Sequence, residues 1–174
     1  VTKLLASDGS VVDTYTSADG VGSGPQSIVF DGTSMWVGNS YGNNVTKFNL
    51  DGTVVGTYAV GTTPSRMTFD GANIWVPNLD DDTVSKVRAT DGAVVGTYNI
   101  GDGPGGTLDG PIAAAFDGTH VWVANFYSNT VTKLRASDGT SVGTYAVGIA
   151  PSGVVFDGVC VWVTNQSSGT VSKL

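Results

Sequence analysis

Apolar residues in this chain fall in short runs separated by turn-forming residues, and four of the runs carry a tryptophan in nearly the same setting. They read "FDGTSMWVGN" at 30–39, "FDGANIWVPN" at 69–78, "FDGTHVWVAN" at 116–125 and "FDGVCVWVTN" at 156–165. Aligned on Trp36, Trp75, Trp122 and Trp162, the copies lie 39, 47 and 40 residues apart, a period that belongs to solenoids and propellers. Each unit divides into four short strands. Strand one follows a proline ("PQSIVF", "PSRMTF", "PIAAAF", "PSGVVF"), strand two holds the tryptophan, strand three reads "VTKL", "VTKF", "VSKV" or "VTKL", and strand four reads "VVDTY", "VVGTY" or "SVGTY". Strands one and two are almost continuously apolar, which predicts cover on both faces. Strands three and four alternate with Thr, Lys and Tyr, which predicts an outer position.

Asp-Gly follows strand one (Asp31, Asp70, Asp117, Asp157) and strand three (Asp8, Asp51, Asp91, Asp138). The pair suits tight hairpins, since Gly takes positive φ freely and Asp tolerates the left-handed region. Four antiparallel strands per repeat predict an all-β fold, a β-propeller of four-stranded blades; a parallel β-helix, with shorter coils and fewer hairpins, is the alternative. Composition agrees: all fifteen acidic residues are Asp, Gly occupies 25 positions, and strong helix formers are scarce. One domain is expected over 1–174, with repeats at about 1–44, 45–83, 84–130 and 131–170, and 171–174 opening a further one. The chain starts and stops on strand-three segments, "VTKL" at 1–4 and "VSKL" at 171–174, which would compete for one place if it closed on itself. Half of an eight-bladed two-chain ring, or a segment of a longer propeller, is therefore expected.

The "IWV…NTVTKL…DGTVVGTY" rhythm resembles the YVTN and NHL repeats of bacterial β-propellers and, more loosely, the streptogramin (virginiamycin B) lyase group. The resemblance covers essentially the whole chain and implies the fold, while propellers of this kind host enzymes, adhesins and scaffolds alike. The lyase group implies a histidine acid/base and a metal held by carboxylates, notably glutamate. This chain has no Glu and a single His, so the activity does not carry over, and no cofactor or metal is expected.

The hairpins joining strands one to two and three to four must lie at one end of the ring, and these barely vary. The opposite rim carries the differences: "NSYGNN", "NLDDDT", "NFYSNT" and "NQSSGT" between strands two and three, and "TSADGVGSG", "GTT", "GDGPGGTLDG" and "GIA" between strand four and the next strand one. Loops on a rigid scaffold are the usual seat of function, which makes Tyr41, Phe126 and Tyr127 candidate aromatic platforms, Asp80, Asp81 and Asp82 an acidic cluster, and Arg66 a channel-facing cation. Aromatics beside Asp and Asn could hold a sugar, or could simply cover the inner strands. The Asp run lacks EF-hand spacing and reads as a solvated loop. The remaining uncommitted carboxylates, Asp13, Asp19, Asp102 and Asp109, form no evident acid/base pair with these.

His120 and Cys160 share the slot of Ser34 and Asn73 at the invariant end and read as structural. Lys3, Lys47, Lys86, Lys133 and Lys173 share a strand-three slot, which suggests outer residues whose stems cover apolar surface and whose charge discourages edge pairing. Glycosylation patterns at Asn44 and Asn165 are expected to lie in accessible loops. A net charge of −7 with eight basic residues argues against nucleic acid, no apolar run is long enough to span a membrane, and one cysteine makes no internal disulfide. The reading that results is a non-enzymatic structural or binding propeller, extracellular or at the cell surface, with a carbohydrate or protein ligand on its variable rim. Two alternatives accompany it: a subunit self-assembling through its terminal strands, and an enzyme with a site at the channel mouth.

Overall fold

A computed structural model describes residues 1–101 and 108–174; Asp102 lies outside the described residues. The chain begins with a two-stranded sheet, β1 (Thr2–Leu4) and β2 (Val11–Thr14). Three four-stranded sheets follow. The first is β3 (Pro25–Phe30), β4 (Met35–Asn39), β5 (Asn44–Phe48) and β6 (Val54–Ala59); the second is β7 (Thr68–Phe69), β8 (Asn73–Asn78), β9 (Thr83–Arg88) and β10 (Val94–Asn99); the third is β11 (Pro111–Phe116), β12 (His120–Asn125), β13 (Thr130–Arg135) and β14 (Ser141–Ala146). A three-stranded sheet ends the chain: β15 (Pro151–Phe156), β16 (Val161–Asn165) and β17 (Thr170–Lys173). Every sheet is an antiparallel meander in chain order, as the repeat predicts. The first sheet supplies strands three and four of a unit, the last supplies strands one to three.

The sheets stack face to face, and this corrects the expected burial. Strand three is as buried as strand two: Val45, Thr46, Val84, Ser85, Val131 and Thr132 are covered as fully as the tryptophan-bearing strands. Strand one is only half covered, with Ile28 and Phe30 exposed. The two middle strands are sandwiched by the neighbouring sheets, whereas strand one borders the axis and strand four the outside, so alternation marks position across the blade and not simply inner against outer. The expected first strand "PSRMTF" shrinks to the two residues of β7 because its backbone turns sideways. Arg66 N donates to Ile112 O at 3.1 Å and Ala114 N donates to Arg66 O at 3.0 Å, a parallel bridge to the third sheet.

Each interface between sheets is built from the same parts. Trp36 packs with Ile74, Val76 and Val87 of the next sheet, Trp75 with Val121, Val123 and Leu134, and Trp122 with Val161 and Val163. A strand-four tyrosine lies against each of these indoles, Tyr58, Tyr98 and Tyr145 at 5.6, 5.5 and 5.6 Å between ring centroids. That geometry adds about 0.5–1.5 kcal/mol beyond burial. The strand-three lysine sits directly across the ladder from its tryptophan and places its ammonium over the indole, at 5.3 Å for Lys47, 5.0 Å for Lys86, 4.6 Å for Lys133 and 4.9 Å for Lys173. Lys47 and Lys86 are 8% exposed and donate to Ala89 O at 2.6 Å and Ala136 O at 2.7 Å in the following sheet; Lys3 donates likewise to Leu50 O at 2.9 Å. These lysines are ties between sheets, which corrects their reading as guards of an outer edge. A buried ammonium over an indole face with a carbonyl in reach has its charge satisfied.

Candidate functional site: the variable rim

At the invariant end, the Asp of each strand-one turn does more than tolerate a tight hairpin. Asp31, Asp70, Asp117 and Asp157 each accept from the indole N–H of the tryptophan five residues on, at 2.8, 2.6, 2.7 and 2.6 Å, and from two backbone N–H groups of the turn. The Gly beside each Asp has φ between 94° and 101°, a conformation that side chains with Cβ rarely adopt. Burial pushes the Asp31, Asp70 and Asp117 carboxyls up, but the Trp and turn donors outweigh it and hold them below the ordinary carboxylate range. Asp157, with the Cys160 N–H, the Trp162 indole and the Val159 N–H as donors, is lowered to about 2. His120 and Cys160 occupy the turn position that Ser34 and Asn73 fill elsewhere, each giving its backbone N–H to the turn Asp. The His120 ring also lies 3.5 Å from the Asp117 carboxylate.

At the opposite end, loops two-to-three are laced to the loops that precede strand one. Ser40 N donates to Gly24 O at 2.8 Å, Leu79 N to Thr63 O at 3.1 Å, Phe126 N to Gly110 O at 2.8 Å and Gln166 N to Ala150 O at 2.9 Å. A second lacing joins successive blades. Asn43, Asp82 and Asn129 are all left-handed, with φ of 52°, 52° and 60°. Their side-chain oxygens accept from Thr63 N at 3.0 Å, Gly110 N at 3.0 Å and Ala150 N at 2.8 Å, the residue before the strand-one proline of the next blade. Thr63 and Ala150 are themselves left-handed, at 56° and 55°. For a β-branched residue such as Thr63 this is strain, and such strain gathers where surrounding bonds over-determine the backbone.

This lacing consumes the acidic cluster. Asp82 also accepts from Asp109 N at 2.8 Å, Asp81 accepts from Thr62 N, and Asp80 accepts from the Thr63 hydroxyl. All three carboxylates serve as loop clasps. Arg66 reaches across the axis and donates to the backbone oxygen of Ser152, two sheets away. Tyr41 and Tyr127 occupy matching places, lying close over Gly24 and Gly110, where a Cβ would come within 2.7 and 2.3 Å of the rings. Both remain largely exposed, Tyr41 at 84% and Tyr127 at 51%. Phe126 meets Tyr127 edge to face at 5.3 Å.

Among these candidates, Tyr41 alone lines the recess of about 310 Å³ that opens between the first and second four-stranded sheets; Phe126 and Tyr127 do not. Its other walls come from residues the sequence reading passed over: Gln26, Ser40, Thr63, Ser65 and Ile112. Ser40 donates to Pro64 O at 2.9 Å and lies against the Gln26 amide oxygen, and Ser27 donates to Ser65 O at 2.7 Å. Gln26, Ser65, Ile112 and Ser152 share one repeat slot, the residue after the strand-one proline. That slot reads Gln, Ser, Ile and Ser in an otherwise repeated strand, and three of the four line the recess; this variation inside the repeat is the signal that could have found it.

The two glycosylation patterns are not in open loops. Asn165 is 2% exposed at the end of β16, its amide donating to Thr170 and Ser172 at 3.1 and 3.0 Å. Asn44 starts β5 half-buried, accepting from Asn39 at 2.8 Å and donating to Gly42 O at 2.7 Å. Both side chains serve the hydrogen bonding that ends strand two. Among the described residues no three His, Cys, Asp or Glu side chains converge in a way that could hold a metal ion, and no helix is long and apolar enough to cross a membrane.

Similarity to solved structures decides what this arrangement is. A catalytically inactive variant of virginiamycin B lyase from Staphylococcus aureus, solved with quinupristin, superposes over 99% of this chain with a TM-score of 0.80 at 17% identity. The chain has a β-propeller fold. Hydrazine synthase of Kuenenia stuttgartiensis matches over 92% of the chain (TM-score 0.66, 22% identity), and BamB from Moraxella catarrhalis over 85% (TM-score 0.68, 13% identity). The chain spans 57%, 52% and 42% of the length of these three chains respectively. No family model and no curated protein sequence matches it.

Proposed function

We propose that this chain is a non-enzymatic binding propeller of the YVTN/NHL kind that works outside the cell and presents its variable rim to a carbohydrate. One observation carries the reading: Tyr41 is 84% exposed beside a recess lined by Gln26, Ser40, Thr63 and Ser65, where the Ser40 and Thr63 hydroxyls give their protons to Pro64 O and Asp80 and keep lone pairs to accept from a ligand. A free aromatic face next to hydroxyl and amide groups matches a sugar, whose C–H faces stack while its hydroxyls exchange hydrogen bonds. The acidic residues around the recess are occupied as clasps, and the lone histidine stands at the other end of the blade beside Asp117, so acid/base chemistry is not what this rim offers. The test is a glycan array probed with the wild-type chain and Tyr41→Ala. Binding of at least one saccharide, lost in Tyr41→Ala at an unchanged unfolding midpoint, is expected. An array with no saccharide bound, or binding indifferent to the substitution, overturns the proposal.

A further inference from the structure

The residue before the strand-one proline is Gly24, Thr63, Gly110 and Ala150 in successive repeats, and all four are left-handed, with φ of 67°, 56°, 64° and 55°. Thr63 and Ala150 show that the fold does not require glycine in this slot, because the lacing bonds to Thr63 N and Ala150 N hold a residue with a Cβ in the same shape. Glycine stands only where the facing loop carries a ring. Two residues after the strand-two asparagine the repeats read Tyr41, Asp80, Tyr127 and Ser167. Each tyrosine is thus matched by a glycine, while Asp80 and Ser167 are matched by Thr63 and Ala150. The reason is steric: a Cβ on Gly24 would lie 2.7 Å from the Tyr41 ring and one on Gly110 2.3 Å from the Tyr127 ring, whereas Asp80 meets Thr63 through a hydrogen bond.

Seating a ring in this way adds little burial. Tyr127, with a sheet on either side, keeps 51% of its surface free. What the glycine secures is a fixed orientation. Tyr127 N donates to Asp109 O at 2.9 Å and Phe126 N to Gly110 O at 2.8 Å, and Phe126 meets Tyr127 edge to face, so backbone and ring are both held. An exposed aromatic fixed in advance lowers the ordering cost of binding. The two rings belong to the first and third four-stranded sheets and stand on the same rim. Stacked sheets pack about 10 Å apart, so matching places two sheets apart are separated by about 20 Å, a span that no mono- or disaccharide bridges. We infer that the carbohydrate is an extended, uncharged oligosaccharide held at both rings, running from the recess beside Tyr41 across the second sheet to the Phe126–Tyr127 corner. This rests on the carbohydrate reading above and names the class of sugar. Midway, Asp80 can accept from sugar hydroxyls as it does from Thr63, and with Asp81 and Asp82 it makes that stretch of rim negative, which disfavours an acidic polysaccharide. Once one ring is engaged, contact with the second is intramolecular.

The experiment is calorimetric titration with neutral homo-oligosaccharides of glucose, mannose, galactose, xylose and N-acetylglucosamine, each from disaccharide to hexasaccharide. At least one series should bind, with affinity rising about tenfold from disaccharide to hexasaccharide, the gain of one further aromatic contact. Tyr127→Ser should lose that gain while leaving the disaccharide affinity and the unfolding midpoint unchanged; Ser167 fills the same slot in the last repeat, so the backbone accepts it. Tyr127→Phe should keep the gain. Gly110→Ala, in a conformation that Ala150 already adopts, should lose the gain with the ring still present, because the Cβ displaces it. Tyr41→Ala should weaken every length. No saccharide bound at any length overturns the carbohydrate reading and this inference together. A disaccharide bound as tightly as the hexasaccharide, or a gain with length that survives Tyr127→Ser, overturns the two-ring inference alone.

Discussion

Asp70 and Asp91 both open an Asp-Gly turn in the same blade, and replacing each by Ala gives a sharp test of what these turns contribute. Asp70→Ala removes the acceptor for the Trp75 indole at 2.6 Å, for the turn N–H groups of Ala72 and Asn73 at 2.8 and 2.7 Å, and for the Asn73 side-chain amide at 3.1 Å. The turn donors lie near the surface and can turn to water. The indole N–H cannot, since Trp75 is fully buried, and a buried orphan donor costs about 1–3 kcal/mol, with a similar amount for the charge-assisted bonds lost beside it. Discounted for overlap between neighbours, Asp70→Ala should lose about 3 kcal/mol, roughly two decades in the unfolding equilibrium. Among the described residues Asp91 accepts from Ala93 N and from the exposed Arg88 guanidinium, and water replaces both, so Asp91→Ala should leave stability nearly unchanged. Urea unfolding followed by tryptophan fluorescence measures both, with unchanged m-values as the sign that the two variants unfold the same way. If Asp70→Ala cost no more than Asp91→Ala, the indole–carboxylate bond would carry no stability and the argument for the turn motif would fail.

Two further expectations follow from the same geometry. The carboxyls of Asp31, Asp70 and Asp117 are held below their unfolded values, so their contribution is complete above an unfolded pKa of about 3.9 and is lost as pH falls through the lower folded values. Chemical denaturation at stepped pH should therefore find stability level from neutral pH down to the carboxylate range and falling only below it; a decline setting in near pH 6 would refute this. Gly92→Ala should destabilise more than Gly71→Ala by about 1–3 kcal/mol of overpacking. Both glycines have positive φ, yet a Cβ at Gly92 would lie 2.0 Å from the Tyr58 ring and one at Gly71 would meet nothing within 4 Å. Equal midpoint shifts in thermal melts would count against the tyrosine–glycine contact.

The strand order, the hairpins and the division of the rims were readable from the repeat because hydrophobic period and turn chemistry are local properties. What the repeat concealed were contacts between units. Asp31 and Asp51 look alike on paper, yet one holds an indole and the other holds only its own turn, because the tryptophan lies five residues beyond the first and nothing equivalent follows the second. The lysines sit in an alternating strand and so looked external; their burial comes from a neighbouring sheet that no pattern within one strand reports. At the rim, Tyr41 was found as an exposed aromatic, but its companions Gln26 and Ser65 were hidden inside a strand that pattern assigns to the core. Asp82 drew attention as an acid, while its role is shared by Asn43 and Asn129, and only the alignment of the loops reveals that conformation, not charge, is what the position requires.

The side-chain contacts that recur from blade to blade point the same way along the chain: a lysine reaches forward to a carbonyl, a tyrosine forward to a glycine, an Asn or Asp forward to the next loop. A newly duplicated unit therefore arrives with one outgoing half and one incoming half of every contact, and leaves no group stranded wherever it is spliced in. Lengthening by copying costs such a sequence little redesign, which is how a chain built of near-copies can change its number of units while the rule that joins them stays the same.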